Sequence, residues 1–468
     1  MLFNSSEFLL FFPIVTLLYF ILPHKLRWLH LLVSSCVFYC AFIPVYISIL
    51  FLTIVIDYLA GIYIDKNQGR TRKVFLIVSL ITNIGILCVF KYNNFFIDNV
   101  TAILQALSIN RTPISHWNIL LPLGLSFHTF QAMSYTIEVY KGKQKPQRHF
   151  GIYALYVMFY PQLVAGPIER PQNVMHQYLE RHRFNPEMFL DGLRLMLWGF
   201  FKKLVIADRI SVYVNVIYDN PSQYHSLNVA IAMVFFAIQI YCDFSGYTDI
   251  ARGAARTMGF NLMQNFNRPY QSVSVTEFWS RWHISLSTWF RDYLYIPLGG
   301  NRGSRFRNYI NLAIVFMVSG LWHGASWTFV VWGALHGLYV ITERVGSKFF
   351  EKIPSLIRYV VTFILVCLAW VFFRAADFHQ ATAIFHSLIT NFHNVPFAWF
   401  VGTHFGKHSM MLSVLFIGFM LMLEKFTKPE LLEFNNKKFV DIIFCSLVLT
   451  LIICFGIFTN SSFIYFQF

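Results

Sequence analysis

The sequence predicts an all-α fold: a polytopic transmembrane helical bundle with re-entrant or kinked helices lining a central tunnel. Three observations predict it. Of 468 residues, 56% are hydrophobic and only 13% are charged, about half the charged share of a soluble domain. The 52 Phe, 24 Tyr and 11 Trp suit wide interfacial belts and tunnel walls. Finally, the uncharged runs Val74–Phe90, Asn308–Thr328, Tyr359–Phe373 and Ile442–Thr459 approach or reach the roughly 20 residues that a spanning helix needs.

Taken in order, the apolar stretch Phe8–Leu22 has no basic region before it and no small-residue cleavage site after it. It reads as a retained first helix, not a removable leader. Trp28–Pro44 and Val45–Ile64 form a pair split by the proline. Val74–Tyr92 goes out, and Ile119–Tyr140 returns after a polar loop around Asn110–His116. Near the end, Tyr359–Phe373 goes out, Met411–Leu423 returns and Phe439–Thr459 goes out again. The clusters Lys25/Arg27, Lys66–Lys73, Lys141–Arg148, Arg302–Arg307, Arg344–Lys352 and Lys425–Lys438 then all fall on the cytoplasmic side, as the positive-inside rule requires. This distribution explains the net charge of +15 without nucleic acid, which would call for a basic stripe. Some of that charge suits an anionic donor molecule or anionic lipid.

The middle of the chain, from 150 to 300, is different. Its segments at roughly 150–165, 188–215, 226–250 and 270–298 are short or laced with polar residues such as Lys202, Lys203, Arg252 and Arg256. Such segments persist at membrane depth only against protein or a water-filled cavity, so they are expected to be re-entrant or kinked and to line a site. No internal repeat and no soluble domain longer than a loop is visible, so residues 1–468 read as one membrane-embedded domain. The seven cysteines contain no C-x-x-C pair and read as buried thiols. No metal-binding motif is present.

Two segments carry candidate chemistry. On a helix, Thr276–Asp292 would make neighbours of Glu277 and Arg281, and of Thr288 and Asp292, with His283 and Ser287 on an adjoining strip. Ionisable residues this dense mark a substrate path or an amphipathic helix at the headgroups. In Ser319–Trp327, His323 lies in an apolar run, and Gly320 and Gly324 have the spacing that admits a neighbouring helix or a ligand. Its imidazole is suited to general-base work or to a polar contact within a helix interface. There is no G-x-S-x-G elbow, no H-x-x-x-x-D box, no P-loop and no dinucleotide fingerprint, so nucleotide hydrolysis is not expected.

These two segments, with Leu121–Gln131, Tyr160–Ile168 and Tyr241–Tyr247, resemble the membrane-bound O-acyltransferase (MBOAT) family. The likeness is to its branch of alginate and peptidoglycan O-acetylating membrane subunits, and the strongest match spans about 120–340. The resemblance implies transfer of acetyl groups from cytoplasmic acetyl-CoA, as acyl-donor substrate, toward an extracytoplasmic polysaccharide, with no permanently bound cofactor. It places the family's intramembrane histidine on His323, as general base, and its second polar position on His283, to polarise the thioester carbonyl or hold the donor. Arg281, Arg291 and Asn301 are further candidates for the donor. It also implies a bacterial cytoplasmic (inner) membrane location and an extracytoplasmic partner, an SGNH-type acetyltransferase or another polysaccharide-modifying protein. In this branch a C-terminal tyrosine is a suggested acyl relay, which falls on Tyr465. The last helix would deliver Tyr465 to the far side, where an aromatic interfacial anchor is the other reading. A helix starting near Asn308 places His323 about 22 Å along it, toward that side. A transporter or channel would use buried Arg, His and Asp equally well, but without inverted repeats the motifs favour an enzyme. A passive scaffold would leave His323 without a purpose.

Overall fold

The computed structural model describes residues 1–109, 115–117, 119–392, 396–398, 405–427, 438–458 and 463–464. Among the described residues the regular elements are all helical. They form two compact units, Met1–Gly192 with Ala254–Met263, and Leu193–Gly253 with Gln264–Phe468.

Helix surfaces show what the solvent is. On the Ser6–Ile21 helix, Phe8, Phe12, Val15 and Tyr19 are buried while Leu9, Leu10, Leu17 and Ile21 are exposed. A helix that is apolar on its outer face as well as its inner one is stable only where lipid replaces water. Among the described residues, five helices are by length and composition long and apolar enough to cross a membrane: Pro44–Lys66, Gly69–Ala106, Ser226–Thr257, Ser355–Arg374 and Lys407–Phe426.

In the first unit, Ile47–Lys66, Gly69–Leu87 and Leu125–Tyr140 share one buried polar knot. Asp57 accepts hydrogen bonds from Ser79 Oγ at 2.6 Å and Asn83 Nδ2 at 2.8 Å, and Ser79 also reaches Thr136 at 3.0 Å. A carboxylate with no exposure persists only when its oxygens are satisfied in this way. The Phe150–Met158 helix is buried along nearly its whole length.

The second unit is organised by two close helix crossings. At the first, a Cβ added to Gly199 would lie 2.5 Å from the Gly246 carbonyl oxygen, so only glycine admits the approach. The Pro186–Phe200 helix then widens into a π-helical turn, Phe201–Ala207, before continuing as Asp208–Asp219. The interruption expected at Lys202 and Lys203 is this π-helical turn within a continuous helical run. Lys202 Nζ lies 2.6 Å from Asp249 Oδ2, and Lys203 Nζ lies 2.9 Å from Asp208 and 2.8 Å from Asp243. At the second crossing, the Arg305–His323 and Trp327–Val345 helices pack at Gly320 and Gly333. A Cβ on Gly320 would meet the Phe329 carbonyl oxygen at 2.2 Å, and one on Gly333 would meet that of Phe316 at 2.2 Å.

Three sequence expectations are corrected. The 226–250 segment, expected to be a re-entrant or kinked piece, does not end at 250. It belongs to one continuous 32-residue helix, Ser226–Thr257, about 48 Å long, because Asp243, Ser245 and Asp249 find partners on Lys202 and Lys203 without a break. Val74–Tyr92 does not end at 92 but continues through a π-helical turn into Asn93–Ala106. The Asn308–Thr328 run is not one helix, since Gly324 is extended (φ −158°, ψ 149°) and Ser326 caps the next helix by accepting from the Thr328 N–H.

Candidate active site

His323 is the last residue of the Arg305–His323 helix. The Gly320 crossing fixes its backbone, and aromatic rings fix its side chain. The imidazole centroid lies 4.9 Å from Trp322, 5.0 Å from Trp332 and 5.3 Å from Phe373, all edge-on. The residue is 3% exposed. Behind these rings Trp332 stacks on Trp370 at 5.6 Å, and Trp370 meets Trp282 at 5.1 Å. Each such pair contributes about 0.5–1.5 kcal/mol beyond simple burial. The wall is therefore stiff as well as dry.

The Thr276–Asp292 segment is not the single helix expected from its spacing. It breaks into Val275–Arg281 and Ile284–Phe290, followed by a π-helical turn at Arg291–Tyr295. His283 sits at the break with φ 44° and ψ 54°, a left-handed conformation that costs a residue with a Cβ about 1–2 kcal/mol. The segment through Asn265 and Asn267 offsets that strain. Asn267 N–H donates to the Arg281 carbonyl, and Ile284 N–H to the Asn265 carbonyl, both at 2.9 Å. Asn265 Oδ1 accepts from Ser285 N–H at 3.2 Å and from Ser285 Oγ at 2.9 Å. His283 Nδ1 lies 3.2 Å from that same oxygen. Because an oxygen already accepting a backbone N–H can only accept, the proton belongs on Nδ1, which makes Nε2 the lone-pair nitrogen of the neutral ring.

The break brings together what the sequence separates by 40 positions. Trp322 lies against both imidazoles, with centroids 4.9 Å from His323 and 6.2 Å from His283. A cavity of about 110 Å³ is lined by Trp279, Leu286, Ser287, Phe290, Val315, Phe316 and Ser319, and by neither histidine. Ser319 lies one turn before His323, so the cavity adjoins the helix face that carries the imidazole. Two buried imidazoles packed on one indole suit removal of a proton from an attacking nucleophile.

The sequence model of the membrane-bound O-acyltransferase family (MBOAT) matches residues 146–376. The chain is similar to a probable alginate O-acetylase AlgI of Pseudomonas aeruginosa, 38% identical over 397 residues, covering 83% of this chain and 75% of that protein. The chain belongs to the membrane-bound O-acyltransferase family. It is a multi-pass membrane O-acyltransferase. A peptidoglycan O-acetyltransferase of Helicobacter pylori is 34% identical over 429 residues, covering 83% of this chain and 80% of that protein. A teichoic acid D-alanyltransferase of Bacillus subtilis is 28% identical over 284 residues, covering 56% and 71% of the two chains. Both histidines lie inside the segment matched by the family.

The other candidates are placed differently. Arg281 is held by Glu277 at 2.6 Å, the neighbour its spacing predicted, and Arg291 pairs with Asp292 at 2.8 Å on an exposed face. Asn301 is exposed in the turn after Gly300. Tyr465 lies outside the described residues. Sequence reasoning missed Asn265 as the partner of His283, and no motif marks it. It also left Asp243 without a role, although Asp243 lies inside Tyr241–Tyr247 and the charged break at Lys202 and Lys203 pointed to a buried counter-ion.

Proposed function

We propose that this acyltransferase moves acetyl groups from cytoplasmic acetyl-CoA across a bacterial inner membrane, for O-acetylation of an extracytoplasmic polysaccharide. The observation that carries this reading is the pair of buried histidines flanking Trp322 within the family segment. The names of the alginate and peptidoglycan O-acetylating relatives support acetyl as the group and a glycan as its destination.

A thioester is already activated, so the protein's work is to orient it, remove a proton and exclude water. His323 acts as the base. The proton on Nδ1 of His283 makes Nε2 an acceptor, which favours holding an N–H of the donor over polarising its carbonyl. Arg281, Arg291 and Asn301 bind the polar parts of acetyl-CoA. The first acceptor is Tyr465. Its phenolic oxygen attacks the thioester carbon, an aryl ester forms, the carbon–sulfur bond breaks, and the phenolic proton passes by way of His323 to the departing CoA thiolate. A phenol, with its ordinary pKa of about 10, leaves more readily than a sugar alcohol, so the acetyl group stays activated for a second transfer. That transfer goes to an extracytoplasmic partner, an SGNH-type acetyltransferase or a comparable polysaccharide-modifying protein.

The test is CoA release from acetyl-CoA by the purified full chain. His323→Ala is expected to lose activity by about a hundredfold or more while eluting as a folded protein. Wild-type release from that folded variant would remove His323 as the base.

A further inference from the structure

Phe463 and Ile464 are buried, each 2% exposed, at an end of the chain for which the sequence leaves both an acyl relay and an interfacial anchor open. Three hydrogen bonds tie the C-terminal segment into the second unit. Arg209 donates to the Phe455 carbonyl at 2.5 Å, and Ile457 N–H donates at 3.0 Å to the Leu204 carbonyl within the π-helical turn. Ile464 N–H donates to Asp243 Oδ2 at 2.8 Å. This last bond ends on a charge. The other oxygen of Asp243 lies 2.8 Å from Lys203 Nζ, which also faces Asp208 at 2.9 Å, and all three side chains are at most 8% exposed. A main-chain N–H is a donor that further stabilises a buried carboxylate already facing an ammonium. Apolar packing alone would serve to anchor an aromatic end. A buried carboxylate aimed at one amide sets the register of the segment as well.

Register matters because of what lies alongside. The Phe463 ring packs 4.8 Å from Tyr247 and 5.6 Å from Phe244, and Phe244 packs 4.7 Å from His283. A single ring therefore separates the seated segment from a candidate catalytic imidazole. Tyr465 follows Ile464 by one peptide bond.

We infer that Asp243, held by Lys203, is a positioning residue that seats the C-terminal segment beside His283 and so presents the acyl-accepting residue. The inference rests on the reading of Tyr465 as the acyl carrier. It predicts that the seat and the chemistry can be separated by mutation. Ile464→Pro removes the N–H donor and leaves the ion pairs intact, whereas Asp243→Ala removes the acceptor and Asp243→Asn keeps an accepting oxygen.

The experiment is hydrogen exchange of the purified full chain, read on the peptide covering 456–468, together with the rate of CoA release from acetyl-CoA in the first turnover. A hydrogen bond to a charged group is worth enough that Ile464→Pro and Asp243→Ala should speed tail exchange by roughly tenfold to a hundredfold. The first-turnover rate of CoA release should fall by a similar factor with the half-saturating acetyl-CoA concentration unchanged, because the acceptor and not the donor is misplaced. Asp243→Asn should restore much of both. Unchanged tail protection in Ile464→Pro would overturn the seat, and so would lost protection with a normal first-turnover rate. Ile464→Pro decides the matter even if Asp243→Ala does not fold. Tyr465→Phe separates the two ideas. Full CoA release from that variant sinks the carrier while tail protection still reports the seat. Lost release from it, with Ile464→Pro fully active, sinks the seat alone.

Discussion

At the scale of single residues, His283 combines a strained backbone with an oriented ring, and the two can be tested apart. Glycine adopts φ 44° without penalty, whereas alanine keeps a Cβ and its cost. His283→Gly is therefore expected to melt at or above His283→Ala in detergent, with both losing activity. A lower melting temperature for the glycine variant would show that the kink is not strained. Asn265→Ala removes the acceptor for the Ser285 N–H and Oγ and for His283 Nδ1. Leaving such groups unsatisfied costs about 1–3 kcal/mol, so CoA release should fall by roughly tenfold or more. Normal release from Asn265→Ala would mean that the ring needs no partner to hold its tautomer.

At the scale of elements, glycine pairs decide where side chains meet. A methyl group on Gly320 would lie 2.2 Å from a backbone oxygen that cannot swing aside, and overpacking of this kind costs typically about 1–3 kcal/mol. Gly320→Ala should lower the melting temperature and reduce turnover through His323, which shares its helix. An unchanged melting temperature would mean that the hairpin tolerates a wider crossing. The Gly199–Gly246 crossing brings Lys203, already beside Asp208 on its own helical run, to Asp243. Lys203→Met would leave two buried carboxylates facing each other, and breaking a buried pair costs about 3–5 kcal/mol. That variant is expected to aggregate on extraction from the membrane, and a monodisperse Lys203→Met chain would contradict the assignment.

At the scale of the whole molecule, the basic clusters make one topological prediction. Arg302, Arg305 and Arg307 are exposed, as are Lys141, Lys145 and Arg148, so both clusters accept a probe cysteine without disturbing the core. In a background lacking the seven native cysteines, Lys145→Cys and Arg305→Cys should react with a membrane-impermeant maleimide only after the cells are opened. Labelling of either on intact cells would overturn the sidedness and, with it, a cytoplasmic donor.

The sequence by itself determined the solvent, the all-helical class and most long spans, because each rests on local composition that lipid selects directly. Local spacing also predicted the Glu277–Arg281 pair and an irregularity at Lys202 and Lys203. Only the tertiary structure decided that Thr276–Asp292 breaks at His283, since that backbone is held by Asn265 and Asn267, residues that spacing along a helix does not reach. It likewise decided that Ser226–Thr257 stays unbroken, because Asp243, Ser245 and Asp249 within it are satisfied by lysines from another helix. The meeting of His283 and His323 across Trp322 follows from these same long-range contacts. A helical period reports which residues share a face, but which buried charge finds its counter-ion depends on how closely two backbones approach, and that is settled only when the helices pack.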